Sequence, residues 1–196
     1  MIASPQQKYI TADEYLAWES RQEIRHEYCD GNMFAMAGGT VNHDELAFNF
    51  RRLLIDRVEN DGCHMSGSNV KIMLNKATSF RYPDLSVSCN DEVEANSTFY
   101  EFPNLIVEVL SESTENVDRG DKFQEYIQIP TLEEYVLVST KRMQVECFRR
   151  SEGRMWLYTA YQSGEVVEII SIGTKFPIEQ LYKNVQLPTV ADDVTA

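Results

Sequence analysis

Apolar residues recur at helical spacing from residue 41 to about 60. Leu46, Phe50, Leu53, Leu54 and Val58 fall on one face, and Asp61-Gly62 ends the run. That pattern predicts the longest helix of the chain. A shorter helix is expected through about Trp18. It opens on Thr11-Ala12-Asp13-Glu14, in which the Thr11 hydroxyl and the Glu14 carboxylate can satisfy end amides reciprocally. Two short strand patterns, residues 26–29 and 33–36, flank Asp30-Gly31 and read as a hairpin, with Gly38-Gly39 breaking the second strand. Strands are then predicted over 70–74, with Lys71 turned outward, and, after a turn at 75–79, over 82–89 and 104–110. A polar, acidic loop at 90–101 separates the last two. A polar link (111–117) leads into a second helix from Asp118 to about Ile129, closed by Pro130, and another buried strand follows at 135–139. Residues 144–149, 155–161 and 166–170 suggest an antiparallel meander with Gly153 and Gly164 at turns. The sum is one α/β or α+β domain over residues 1–187 with a loose tail at 188–196.

Composition narrows the class. A chain of 196 residues with 43% apolar and 25% charged residues is an ordinary globular protein. No run is long and apolar enough for a membrane span, and no secretory signal opens the chain, so no membrane partner is expected and the cytoplasm is the default location. The net charge of -13 excludes nonspecific coating of nucleic acid. It leaves room for a nuclease whose carboxylates are neutralised by a divalent metal. Cys29, Cys63, Cys89 and Cys147 lack a C-x-x-C pair and are expected as reduced thiols. His26, Cys29, Cys63 and His64 offer zinc-type ligands, but at spacings unlike the common fingers.

The chemistry concentrates around Glu108, a carboxylate among Leu105, Ile106, Val107, Val109 and Leu110. Burying it requires either an ion pair or a metal ion. Asp84 follows Pro83 at the start of the preceding strand, where proline sacrifices no interior ladder bond. Carboxylates on neighbouring strands can converge at the ~5 Å strand spacing. Such a pair repels itself but cradles Mg²⁺ well, and a bound Mg²⁺ can activate water against a phosphodiester. Arg119 and Lys122 lie three apart at the start of the second helix, where cations oppose the helix dipole. A lysine turned back toward Glu108 would orient water or stabilise charge on the phosphate; the alternative is a solvated surface pair.

These residues carry a resemblance. Pro83-Asp84, Glu108 in an apolar strand and a lysine on the next helix are similar to the PD-(D/E)XK nuclease core. More narrowly, the chain resembles the Uma2-type restriction endonuclease family. The pattern comprises Glu27-Tyr28-x-Asp30-Gly31, His43, Tyr82-Pro83-Asp84, the run from Leu105 to Ser111-x-Ser113-Thr114, Asp118-Arg119-Gly120-x-Lys122-x-x-x-Tyr126 and Glu133-Glu134-Tyr135-x-Leu137-Val138. The resemblance implies a mixed sheet flanked by helices, Mg²⁺ (or Mn²⁺) held by Asp84 and Glu108, and hydrolysis of DNA. The usual lysine position, two residues after the glutamate, is Leu110 here, which nominates Lys122 from the neighbouring helix. Glu27 is implied as a further metal or water ligand, with an exposed strand carboxylate as the competing reading.

His43, opening the long helix, could touch a phosphate or cap the chain. Arg51, Arg52, Arg57, Lys71, Lys76 and Arg81 could guide DNA, with Arg119 closest to the proposed site, although Arg51 and Arg52 fit a solvated face better. A homodimer is expected because cutting both strands needs two sites. The expectation is thus a Mg²⁺-dependent endonuclease. Its alternatives are a catalytically degenerate binding or regulatory module on the same fold, and a domain whose Glu108 serves only a structural ion pair.

Overall fold

The computed structural model describes residues 9–75, 77–90, 94 and 96–188. Lys76, most of the tail, the first eight residues and part of the acidic loop (91–93 and 95) lie outside the described residues. Helix α1 (Ala12–Glu19) starts on the expected capping box: the Glu14 amide donates to Thr11 Oγ1, and the Thr11 amide to the Glu14 carboxylate at 2.8 Å. Such a cap contributes about 1 kcal/mol. Strands β1 (His26–Cys29) and β2 (Asn32–Ala35) form the hairpin, and Asp30 and Gly31 both take positive φ (44° and 83°), as a two-residue type I′ turn requires.

Helix α2 (Val41–Asn60) buries Leu46, Phe50, Leu54 and Val58, while Leu53 sits at the margin of the same cluster. Each buried side chain contributes roughly 1.5–3 kcal/mol of transfer free energy. The strands that follow are β3 (His64–Gly67), β4 (Lys71–Leu74), β5 (Ser79–Arg81), β6 (Leu85–Ser88), β7 (Phe99–Tyr100), β8 (Leu105–Leu110), β9 (Glu134–Ser139), β10 (Gln144–Arg150), β11 (Trp156–Gln162), β12 (Val166–Ile169) and β13 (Thr174–Pro177), with α5 (Ile178–Leu181) last. One mixed sheet has the order β11-β10-β9-β8-β6-β3 and a second the order β2-β1-β5-β4-β7.

Strand β8 is central, antiparallel to β6 and parallel to β9, and all six of its residues are buried. Its side chains alternate. Leu105, Val107 and Val109 pack in the cluster with α2; Ile106 and Leu110 join Tyr126, Tyr135, Leu137 and, from the second sheet, Ile72 and Leu74. Glu108 shares the parity of Ile106 and Leu110 and is turned toward that second layer. The parallel β8–β9 pairing needs a crossover, which carries α3 (Glu115–Val117), a π turn (Asp118–Lys122) and α4 (Phe123–Tyr126).

Four expectations are corrected. The second helix is three short pieces ending at Tyr126, because the π turn interrupts regular α geometry. The last strand of the expected meander leaves the large sheet, and β12 pairs with β13. Lys71 is buried rather than outward: its Nζ lies 3.3 Å from the Tyr82 hydroxyl and 5.3 Å from that ring's centre. Cys63 and Cys89 form a disulfide, because they directly extend the antiparallel β3–β6 pairing beyond His64 and Ser88, a juxtaposition that sequence spacing does not reveal. Cys29 and Cys147 are free thiols. No helix among the described residues is long and apolar enough to cross a membrane.

Candidate active site

The ladder that places Glu108 also places Asp84. Leu85 pairs with Val107 across β6 and β8, so the next register position sets Asp84 opposite Glu108. The Asp84 amide faces Glu108 Oε2 at 3.4 Å, and Asp84 Oδ2 accepts from the Val109 amide at 2.7 Å. His43, in the first turn of α2, brings its Nε2 to 3.2 Å from the same Oδ2. Asp84 and His43 both line a cleft of about 510 Å³, whose other walls include Arg25, Met36, Gly39 and Asp44.

Behind Asp84 the site is closed. Glu108 is 3% exposed, and its Oε1 accepts from Lys122 Nζ at 3.0 Å and the Tyr126 hydroxyl at 2.9 Å. Lys122, at the end of the π turn, reaches inward. Its Nζ also lies 3.1 Å from Asp118 Oδ1 and 3.4 Å from Glu27 Oε1. Asp118 is itself anchored through its backbone carbonyl, which accepts from the Tyr135 hydroxyl at 3.0 Å. Glu27 is a buried ion-pair member, bound to Arg81 at 2.9 Å and to the Tyr82 amide at 3.2 Å. Arg81 in turn grips Glu125 through two bonds at 2.9 and 2.7 Å.

Five carboxylates (Glu27, Asp84, Glu108, Asp118 and Glu125) therefore surround two permanent cations, Lys122 and Arg81, with His43 as a third when protonated. Low polarizability makes that negative excess costly. Burial, together with the charges of Asp118, Asp84 and Glu27, pushes the Glu108 carboxyl well above its ordinary range despite Lys122. Burial alone would lower Lys122, but the three carboxylates around it outweigh that and hold its ammonium well above the usual value. Burial also raises Asp118. Glu27 is different: Lys122 and Arg81 overcome its burial and lower it. The bond to Asp84 raises His43 against the effect of burial.

The structure thus brings together Asp84, Glu108, Lys122, Glu27 and His43. Arg119 is elsewhere. It does not share a face with Lys122 but pairs with Glu115 at 3.1 Å and with Glu146 of β10 at 2.5 Å. Arg81 and Lys71 are consumed by buried contacts, so these two are not the DNA guides the sequence suggested, while Arg57 pairs with Asp61 at the surface. Cys63 is committed to its disulfide and His26 to Glu19, which removes the zinc alternative. Sequence reading missed the roles of Asp118, Tyr126 and Glu125; the Asp118-x-x-x-Lys122-x-x-x-Tyr126 spacing was the available signal.

Among the described residues no three His, Cys, Asp or Glu side chains form a ready cation cage, since the densest carboxylate group converges on the Lys122 ammonium. The Asp84–Glu108 pair still suits Mg²⁺, which keeps most of its waters and takes one or two carboxylates. The net negative charge of the surroundings favours any cation placed there.

A mixed sheet with Pro-Asp at a strand start, a buried glutamate on the paired strand and a lysine from the adjoining crossover defines a PD-(D/E)XK, restriction-endonuclease-like fold. The crystal structure of a "putative nuclease belonging to DUF820" from Anabaena variabilis superimposes with a TM-score of 0.73 at 15% identity, over 89% of this chain and 98% of that one. The chain belongs to the Uma2 family, described as "Putative restriction endonuclease", whose model matches residues 12–178. Two Synechocystis proteins are similar along most of their length. "Uncharacterized protein slr1290" is 35% identical over 89% of this chain and 92% of its own, and "Uncharacterized protein sll1609" is 32% identical over 83% and 92%.

Proposed function

We propose that this protein is a Mg²⁺-dependent endonuclease that hydrolyses DNA phosphodiester bonds, with Asp84 and Glu108 as the cation ligands and Lys122 as the third member of the set. The observation that carries the reading is the placement of Asp84 opposite Glu108 on paired strands, the Asp84 amide 3.4 Å from Glu108 Oε2, in a site with more negative than positive charge. The bound cation supplies water activation and neutralisation of charge developing on the phosphate. Asp84 commits Oδ2 to the Val109 amide and His43, which fixes its direction at the cleft wall. Glu108 commits Oε1 to Lys122 and Tyr126, so its Oε2 is the oxygen left toward Asp84. His43, on the same wall, is placed to meet a phosphate entering the cleft. Glu27, spent on Arg81 and Lys122, serves the site by holding Lys122. Cutting a duplex would use two copies of the chain, one site per strand.

The net charge of -13 favours a second reading, a degenerate module on the same fold. Plasmid DNA with Mg²⁺ or Mn²⁺ separates the two. Nicking by the wild type that disappears in Asp84→Ala and Glu108→Ala supports the endonuclease. Nicking that survives both substitutions, or a wild type without carboxylate-dependent Mg²⁺ affinity, refutes it.

A further inference from the structure

Lysine has three N–H donors and no acceptor. In this site three oxygens surround Lys122 Nζ: Glu108 Oε1 at 3.0 Å, Asp118 Oδ1 at 3.1 Å and Glu27 Oε1 at 3.4 Å. The residue is 6% exposed, and it is Asp84 and His43, not Lys122, that stand on the cleft wall. The ammonium thus faces three carboxylates, hydrogen-bonded to Glu108 and held to Asp118 and Glu27 by charge. Glu108 shows the complementary asymmetry. Two donors, Lys122 and the fully buried Tyr126 hydroxyl, meet on Oε1, while among the described residues Oε2 meets the long 3.4 Å contact with the Asp84 amide alone.

We infer that Lys122 is a positioning residue that acts through Glu108 instead of touching substrate, and that Asp118, presented on the same π turn, is the group that holds the ammonium in place. The inference rests on the hydrolytic reading above. Asp118 holds the ammonium by charge where it can bond Glu108, and Tyr126 and Lys122 together lock Oε1, so that Oε2 is the oxygen left toward Asp84. Asp118 and Lys122 are four residues apart on the π turn, a spacing that puts both on the same, inward face. Loss of Asp118 frees Lys122 from that position, and loss of the Tyr126 hydroxyl leaves Oε1 half-held; either lets the carboxylate rotate.

The test is isothermal titration of Mg²⁺ into DNA-free wild type, Asp118→Asn, Asp118→Glu, Tyr126→Phe and Lys122→Met. It is paired with fluorescence anisotropy of a labelled DNA duplex binding to wild type and Lys122→Met. Outer partners of metal ligands typically set affinity by 10–100-fold. The expected result is a Mg²⁺ dissociation constant raised about tenfold or more in Asp118→Asn and in Tyr126→Phe, with partial recovery in Asp118→Glu. Lys122→Met is expected to bind the duplex within about twofold of wild type. A folded Asp118→Asn with wild-type Mg²⁺ affinity overturns the inference, as does a Lys122→Met that binds Mg²⁺ normally but loses the duplex. Should Asp118→Asn not fold, Tyr126→Phe, which removes one hydroxyl and no charge, decides. A wild type that takes up no Mg²⁺ overturns the hydrolytic reading and this inference with it.

Discussion

Replacing Lys122 by methionine keeps the length of the side chain and removes its charge. At an effective dielectric constant of about 20, each of the contacts at 3.0, 3.1 and 3.4 Å carries roughly 5 kcal/mol of gross attraction, about 15 kcal/mol in all. Most of that does not reach the net stability. The ammonium no longer has to be buried, and a carboxylate left without a partner takes up a proton sooner than it remains charged. Proton uptake then limits the loss. For a glutamate with an ordinary value of 4.5, protonation at pH 7 costs about 3.4 kcal/mol, and at pH 5.5 about 1.4 kcal/mol. The pH 7 figure agrees with the roughly 3–5 kcal/mol typical of removing one partner of a buried pair. The sign follows from a folded state that binds one more proton than the unfolded chain: the variant regains stability as pH falls toward 4.5. For a chain of this size the loss at pH 7 lowers Tm by roughly 7–14 °C. Thermal and urea unfolding followed by circular dichroism at both pH values measures it, and Lys122→Met/Glu108→Gln should recover most of the loss. A cost below about 1 kcal/mol at pH 7, or one that does not shrink at pH 5.5, would refute the reasoning.

Two further outcomes are expected. The Cys63–Cys89 disulfide closes a 26-residue separation, so Cys63→Ala or added reductant should cost about 3.5 kcal/mol in urea unfolding by the chain-entropy relation; equal midpoints with and without reductant would contradict it. Bonds from Lys141 and Arg119 lower Glu115, and Arg119 and Tyr158 overcome the burial of Glu146 to lower it as well. Their contribution is therefore present above pH 4.5 and lost as the medium is acidified through their lower folded values. Arg119→Met should flatten that acid limb, which unfolding curves between pH 3 and 6 would detect.

Much of this molecule is local. The spacing of Leu46, Phe50, Leu54 and Val58, the Thr11–Glu14 cap and the Asp30-Gly31 turn each specify an element through contacts a few residues apart, and all three form as the pattern indicates. An isolated acid in the β8 run likewise marks a site, because burying charge is costly in any fold. The partners of that acid are long-range. Asp84 meets Glu108 through strand register, and Glu27 reaches Lys122 only because the second sheet packs over the first. Lys71 looked outward by alternation, yet Tyr82, in the link between β5 and β6, covers it. The two bridged cysteines become neighbours only through the β3–β6 pairing.

The amino-acid order by itself thus determined the principal helix, the hairpin, the central strands and the presence of a buried carboxylate needing compensation, since periodicity and desolvation act on short stretches. Only the tertiary structure decided which charges provide that compensation. It turned Arg119 to the sheet and Lys122 inward through a π turn, because the direction of a side chain off a short, irregular helix is set by the groups it packs against, not by its spacing.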